Sequence, residues 1–225
     1  MHVDATPEGR RKRGRPKAAP ESSEVRTRLI RAGLERLTER GYPATSVDDL
    51  LKAAGVPKGS FYHHFGSKAG FGAAVIDAYH DYFAERLQRC FRGSAPALER
   101  LRVFTRAAEA GMARHGYTRG CLVGVLGQET GALPDGYAAR LAEVLADWQA
   151  RTTVLLEEAA REGALRPGAD PQALASLFWT GWEGAVLRAR MERGPDPLRH
   201  FAETFLALVA RDETPQRQAG TDKED

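Results

Sequence analysis

The chain has 225 residues, 42% of them apolar and 28% charged, and a formal net charge of +3. That length holds one large domain, or a small one joined to a larger, and no stretch approaches the ~20 apolar residues that a membrane-spanning helix needs. The basic N-terminus lacks the apolar segment of a secretory signal. Cys90 and Cys121 are too few for a disulfide framework and lack metal-ligand spacing, so the expectation is a cytoplasmic protein with no membrane partner, metal or cofactor.

Residues 1–22 are rich in Pro, Gly, Ser and basic side chains and read as a disordered arm. Beyond them the pattern is helical almost throughout, without strand alternation, so an all-α fold is expected. The first helix spans about 24–40, with Leu29, Ile30, Gly33, Leu34 and Leu37 inward and Gly41 as its stop. Ser46 caps a short helix over 47–54 that buries Val47, Leu50, Leu51 and Ala54. Gly55-Val56 breaks it, and Pro57 opens a third helix to residue 65. Ser67 caps a long fourth helix over 68–92, ended by Gly93. Further helices are expected at 96–115, 119–130, 135–162, 171–193 and 196–211, before a polar tail. The domain organisation is then an arm (1–22), a head (23–68), a body (69–212) and a flexible tail (213–225).

Charge is unevenly shared. Residues 1–68 carry 14 Lys and Arg against 8 Asp and Glu, whereas the remainder carries 19 against 22. A basic head on a mildly acidic body suits contact with a polyanion, although a basic surface is also compatible with simple solvation.

Two short helices separated by a few residues around a glycine, after a longer helix, form a helix-turn-helix pattern, in which the second helix enters the DNA major groove. At 100° per residue, Gly59, Ser60, Tyr62 and His63 share one face of the segment 57–65 while Phe61 and Phe65 share the other. The first face offers groups able to approach phosphates and base edges. On the pattern alone, an ordinary surface hairpin remains an alternative.

The run Thr45-Ser46-Val47-Asp48-Asp49-Leu50, followed by Ala54-Gly55-Val56-Pro57-Lys58-Gly59-Ser60-Phe61-Tyr62-His63-His64-Phe65-Gly66-Ser67-Lys68, resembles the signature of TetR-family repressors. The resemblance implies a three-helix DNA-binding head, a helical ligand-binding body and a homodimer on a palindromic double-stranded DNA operator. By position it implies that Thr45 and Ser46 hold phosphates and that Lys58, Gly59, Ser60 and His63 face the groove. Tyr62 would reach the backbone, and Lys68 would anchor a further phosphate or remain a solvated surface lysine. His64 would be packed or capping. Arg13 and Arg15, in the run Arg10-Arg11-Lys12-Arg13-Gly14-Arg15-Pro16-Lys17, either bind phosphates and enter a narrow minor groove or serve only as a solubilising charge run.

The body shows no nucleophile, phosphate-loop or metal pattern, so no enzyme is expected. Phe83, Phe104, Met112, Cys121, Trp148, Phe178 and Trp182 recur at helical spacing and either line a pocket for a small-molecule inducer or pack the core. Gly181, Ala185 and Ala189, with the stripe Phe201, Phe205 and Leu208, would form the dimer interface or pack within the chain. A narrower resemblance runs through Arg119-Gly120-Cys121-Leu122-Val123-Gly124, Gly127-Gln128-Glu129 and Gly181-Trp182-Glu183-Gly184 to acrylate-responsive repressors of the same family, and implies a small unsaturated acid or related electrophile as inducer. Cys121, beside Arg119 and near a helix N-terminus, would then be either a thiol sensor of lowered pKa or a buried packing residue.

Overall fold

The computed structural model describes residues 20–211, with side chains from residue 24. The arm bearing Arg13 and Arg15 and the polar tail lie outside the described residues. Nine α-helices are present in the described part: α1 (Pro20–Arg40), α2 (Val47–Ala54), α3 (Lys58–Phe65), α4 (Lys68–Phe91), α5 (Ala97–Ala113), α6 (Leu122–Gly127), α7 (Tyr137–Arg161), α8 (Pro171–Glu192) and α9 (Asp196–Val209). The only β contact among the described residues is an isolated antiparallel bridge between Leu165 and Ala210.

Local chemistry sets most of these ends. Ser46 and Asp49 form a reciprocal capping box at α2, and Gly55 closes that helix in the left-handed region at φ +63°. Ser67 accepts from the Gly70 amide at 2.9 Å to start α4. Asp170 caps α8 with Pro171 in its first turn. Three boundaries differ from the sequence reading. α1 already begins at Pro20, and Pro57 precedes α3 as its N-cap. The helix expected over 119–130 is instead α6 and a single 3-10 turn at Thr130–Ala132, and the Gly120 amide before it bonds the Thr38 carbonyl of α1.

α1 packs on α2, α3, α4 and α6, and thus belongs to both halves of the molecule. Its close approach to α4 depends on Gly33, where a Cβ would stand 2.5 Å from the Phe71 ring. In the head, Leu29, Leu37, Leu50, Phe61 and Phe71 are essentially inaccessible. In the body, α4 contributes Phe83 to an aromatic cluster with Phe104, Trp148 and Trp179, the Phe83 and Trp148 centroids being 4.1 Å apart. The Trp179 indole N–H donates to the Thr152 hydroxyl at 3.0 Å. Arg100, buried at the start of α5, pairs with Glu158 of α7 and with Glu162 just after it, and donates to the Phe91 carbonyl, so one guanidinium joins three helices.

The small-residue stripe of α8 faces the chain's own interior. A Cβ at Gly181 would meet the Phe201 ring at 2.1 Å, and Ala185, Ala189 and Phe205 are buried within the single chain. What α8 exposes instead is Leu177, Thr180, Gly184, Leu187 and Met191, beside His200, Thr204 and Leu208 on α9.

Candidate nucleic-acid interface and ligand cavity

α3 is an eight-residue helix whose orientation is fixed by one buried ring. Phe61 is 0% exposed and packs against Phe65 and Phe71 at centroid distances of 5.6 and 5.1 Å. With that ring inward, Lys58, Gly59, Tyr62 and His63 are exposed, and Ser60 is half-buried. Nothing lies within 4 Å of where a Cβ on Gly59 would stand, so the backbone there is bare. Lys58 reaches back to Asp48 at 3.5 Å, a surface pair weak enough to yield to a phosphate. His64 is half-buried, and burial first, then the neighbouring His63 and Arg26, push its pKa down.

Three expected phosphate ligands are engaged within the head. Thr45 is 1% exposed and its hydroxyl donates to the Gly41 carbonyl at 2.7 Å, so it cannot serve as a surface phosphate donor. The Ser46 hydroxyl donates to the Asp49 carboxylate at 2.7 Å while accepting the Asp49 amide at 3.1 Å. Its proton is in use, beside two acids rather than beside bare amides. The Lys68 ammonium donates to the Tyr42 carbonyl at 2.9 Å and lies 4.3 Å from the Tyr42 ring centroid, which turns it inward as a strut between α4 and the α1–α2 turn.

That turn is also gripped from the body. Glu129 accepts the Tyr42 amide at 2.8 Å, and its carboxylate occupies the space a Cβ on Gly41 would fill, Gly41 itself standing at φ +82°. Arg190 donates to the Glu39 carbonyl at the end of α1. Farther along, the Tyr137 hydroxyl bonds the Ala69 carbonyl, and Arg140 holds Asp77 of α4 through two bonds of 2.6 and 2.9 Å.

A cavity of about 410 Å³ opens at this junction, walled by α1, α4, α5, the segment before α6, and α8. Of the expected ligand residues, Phe83, Met112, Cys121 and Trp182 line it. Phe104, Trp148 and Phe178 do not: each is at most 1% exposed and belongs to the aromatic core behind the wall. The sequence reading missed Arg31, Glu35 and Thr38, because helical spacing gives no sign that the head supplies a wall. It also missed Glu183, although a lone acid within the otherwise apolar run Leu177–Leu187 was a visible signal.

Cys121 does not carry the lowered pKa expected of a sensor. Burial, and then the Glu183 carboxylate, push its thiol well up, and Arg119 turns away to Glu35 at 3.6 Å. Burial likewise raises Glu183 to about 7, with its hydrogen bond to Cys121 pulling slightly the other way. A Cβ on Gly124 would stand 2.3 Å from that carboxyl, so the glycine is what admits it. No group of acids, histidines and cysteines fit to hold a metal occurs among the described residues, and no described helix is long and apolar enough to cross a membrane.

Comparison with known proteins agrees with this architecture. Residues 29–75 match the family described as bacterial regulatory proteins, tetR family, and residues 97–205 match the tetracyclin repressor-like C-terminal domain. The chain is 59% identical to the transcriptional regulator AcuR of Cereibacter sphaeroides over 86% of its own length and 89% of that protein. It is 33% identical to the transcriptional repressor DhaR of Mycobacterium sp. strain GP1, over 82% of this chain and 92% of that one. The crystal structure of regulatory protein TetR from Rhodobacter sphaeroides superposes with a TM-score of 0.81 at 58% identity, over 82% of this chain and 98% of that one. Reduced E. coli NemR superposes with a TM-score of 0.78 at 26% identity, covering 85% and 100%. An N-terminal helix-turn-helix, a helical body and two matching domain patterns leave one assignment: the chain belongs to the TetR family of bacterial transcriptional repressors.

Proposed function

We propose that this protein is a homodimeric repressor that reads a palindromic operator through α3 and releases it when a small unsaturated acid, acrylate or a close analogue, enters the cavity. The observation that carries the reading is the orientation of α3: Phe61 is sealed inward while Gly59, Tyr62 and His63 stand free of the protein. Lys58, Gly59, Ser60 and His63 approach base edges and Tyr62 a phosphate. The arm adds Arg13 and Arg15 to phosphates and, in A·T-rich tracts, to the minor groove. Because α1 begins at Pro20, deleting residues 1–19 leaves the helix intact; the truncated protein is expected to bind operator more weakly and with a shallower salt dependence.

Dimerisation places the exposed stripes of α8 and α9 from two copies together, since two half-sites supply the affinity that one recognition helix lacks. A volume of about 410 Å³ leaves room beyond a three-carbon acid, so longer unsaturated carboxylates are expected to act as well. A thermal-shift screen of small carboxylates, followed by gel shift on DNA flanking the protein's own gene, tests the reading. Acids that raise the melting temperature should dissociate the complex, and failure to bind that DNA overturns the local-repressor function. A thiol switch at Cys121 is the weaker alternative, given its buried, high-pKa thiol; Cys121→Ser should retain its response to acrylate.

A further inference from the structure

The cavity lining is rich in cationic side chains: Arg31, Arg86, Arg114 and Arg119 stand against two acids, Glu35 and Glu183. Glu183 lies against Cys121 and Gly124, leaving Glu35 as the acid beside Arg119. Among the described residues, Arg119 is the one of the four arginines with a carboxylate within ion-pairing distance, and its partner is Glu35 at 3.6 Å. Glu35 belongs to α1, the helix shared with the DNA-binding head, whereas Arg119 belongs to the body segment just before α6. The neighbouring Gly120 amide bonds the Thr38 carbonyl, so this segment is stitched to α1 at successive positions.

The pair is easily displaced. Both side chains are partly exposed, the nearest atoms are too far apart for a hydrogen bond, and such pairs contribute little. A guanidinium prefers a carboxylate that can be held by two parallel bonds, which a free acid can supply and a tethered Glu35 at this distance does not. The apolar part of the lining is formed by Tyr79, Phe83, Met112, Cys121 and Trp182, suited to a short hydrocarbon tail.

We propose that the cavity is a monocarboxylate site in which the ligand's carboxylate takes Arg119 from Glu35, so that the DNA-binding head supplies the very group the inducer must displace. This rests on the reading that a small acid is the inducer, and it names how that acid is held and how its arrival is felt. Displacement cuts a tie between α1 and the body, and by reciprocity whatever weakens the tie must favour the ligand.

Calorimetric titration of the full-length protein with acrylate, and with propionate, which cannot add to a thiol, tests this alongside gel shift. Glu35→Gln removes the competitor: both acids should bind roughly two- to fivefold tighter, the magnitude of a part-exposed pair. Free Glu35→Gln should hold operator more weakly than wild type, with a smaller further loss on adding acid. Arg119→Gln should lose binding of both acids, with Arg119→Lys restoring part of it. Glu39→Gln, on the same helix but off the cavity wall, should leave both affinities unchanged, and melting curves establish that each variant folds. Unchanged or weaker acid binding by Glu35→Gln, with a responsive wild type, overturns this inference alone. A wild type that binds neither acid overturns it together with the inducer assignment.

Discussion

A methyl group added at Gly59 would touch no protein atom, which makes the position a clean probe of what lies outside the protein. Gly59→Ala should strengthen α3 by about 0.5–1 kcal/mol through helix propensity, yet weaken operator binding by blocking close approach to DNA. Thermal melts and gel shifts should therefore move in opposite directions; parallel changes would remove Gly59 from the interface. Glu183 makes a second residue-scale statement, this time about pH. Its folded-state pKa of about 7 lies above the usual carboxylate value, so the folded chain holds a proton that the unfolded chain releases. Its contribution is favourable below about pH 4.5 and is lost as pH rises towards 7. Glu183→Gln should remove that decline and make the protein more stable at pH 8 by about 1–3 kcal/mol, as read from melting temperatures across the range.

At the scale of elements, α3 is an eight-residue helix that cannot stand alone, and its position depends on Phe61 lodged against Phe71 of α4. Phe61→Ala should cost about 3–5 kcal/mol and disorder the head before the body, visible as an early loss of amide protection in residues 47–65. The sequence reading of this region was accurate because its signals are local: Ser46 and Ser67 as caps, Gly55 as a stop, and two phenylalanines at i and i+4. Where side chains point depends on packing that residue type and spacing do not encode; there the sequence misplaces Thr45 and leaves two readings open for Gly181 and for Phe104, Trp148 and Phe178. Thr45 has the right type for a phosphate ligand, but its hydroxyl is consumed by Gly41 four residues before it. Gly181 has the spacing of a helix–helix seam, but Phe201 of the same chain fills the space. Phe104, Trp148 and Phe178 share the periodicity of Phe83 and Trp182 and are buried with them, yet only the latter two border the cavity, a difference that periodicity does not encode. α6 is shorter than its pattern, and the segment before it is tied to α1 by the Gly120 amide, a long-range bond invisible in sequence.

At the scale of the whole molecule, the surface left after intrachain packing determines what a second copy can meet. Leu187 and Met191 are 37% and 73% exposed, on the α8 face that carries Leu177, Thr180 and Gly184. Introducing Leu187→Glu together with Met191→Glu should leave the helical content unchanged, convert the proposed dimer to a monomer in sedimentation, and reduce operator affinity by at least an order of magnitude, because paired half-site reading is lost. A dimer that survives this change would move the interface elsewhere.

One helix is common property: α1 braces the DNA reader through Leu29 and Leu37 and presents Arg31, Glu35 and Thr38 to the cavity. Reader and sensor are therefore not interchangeable parts. A chimaera spliced at the start of α4, grafting residues 1–67 onto a foreign sensor, would leave this body's chamber missing one side and give the foreign one a lining it did not evolve with. Engineering a new response into this scaffold would have to recut the joint at α1 as well as the chamber.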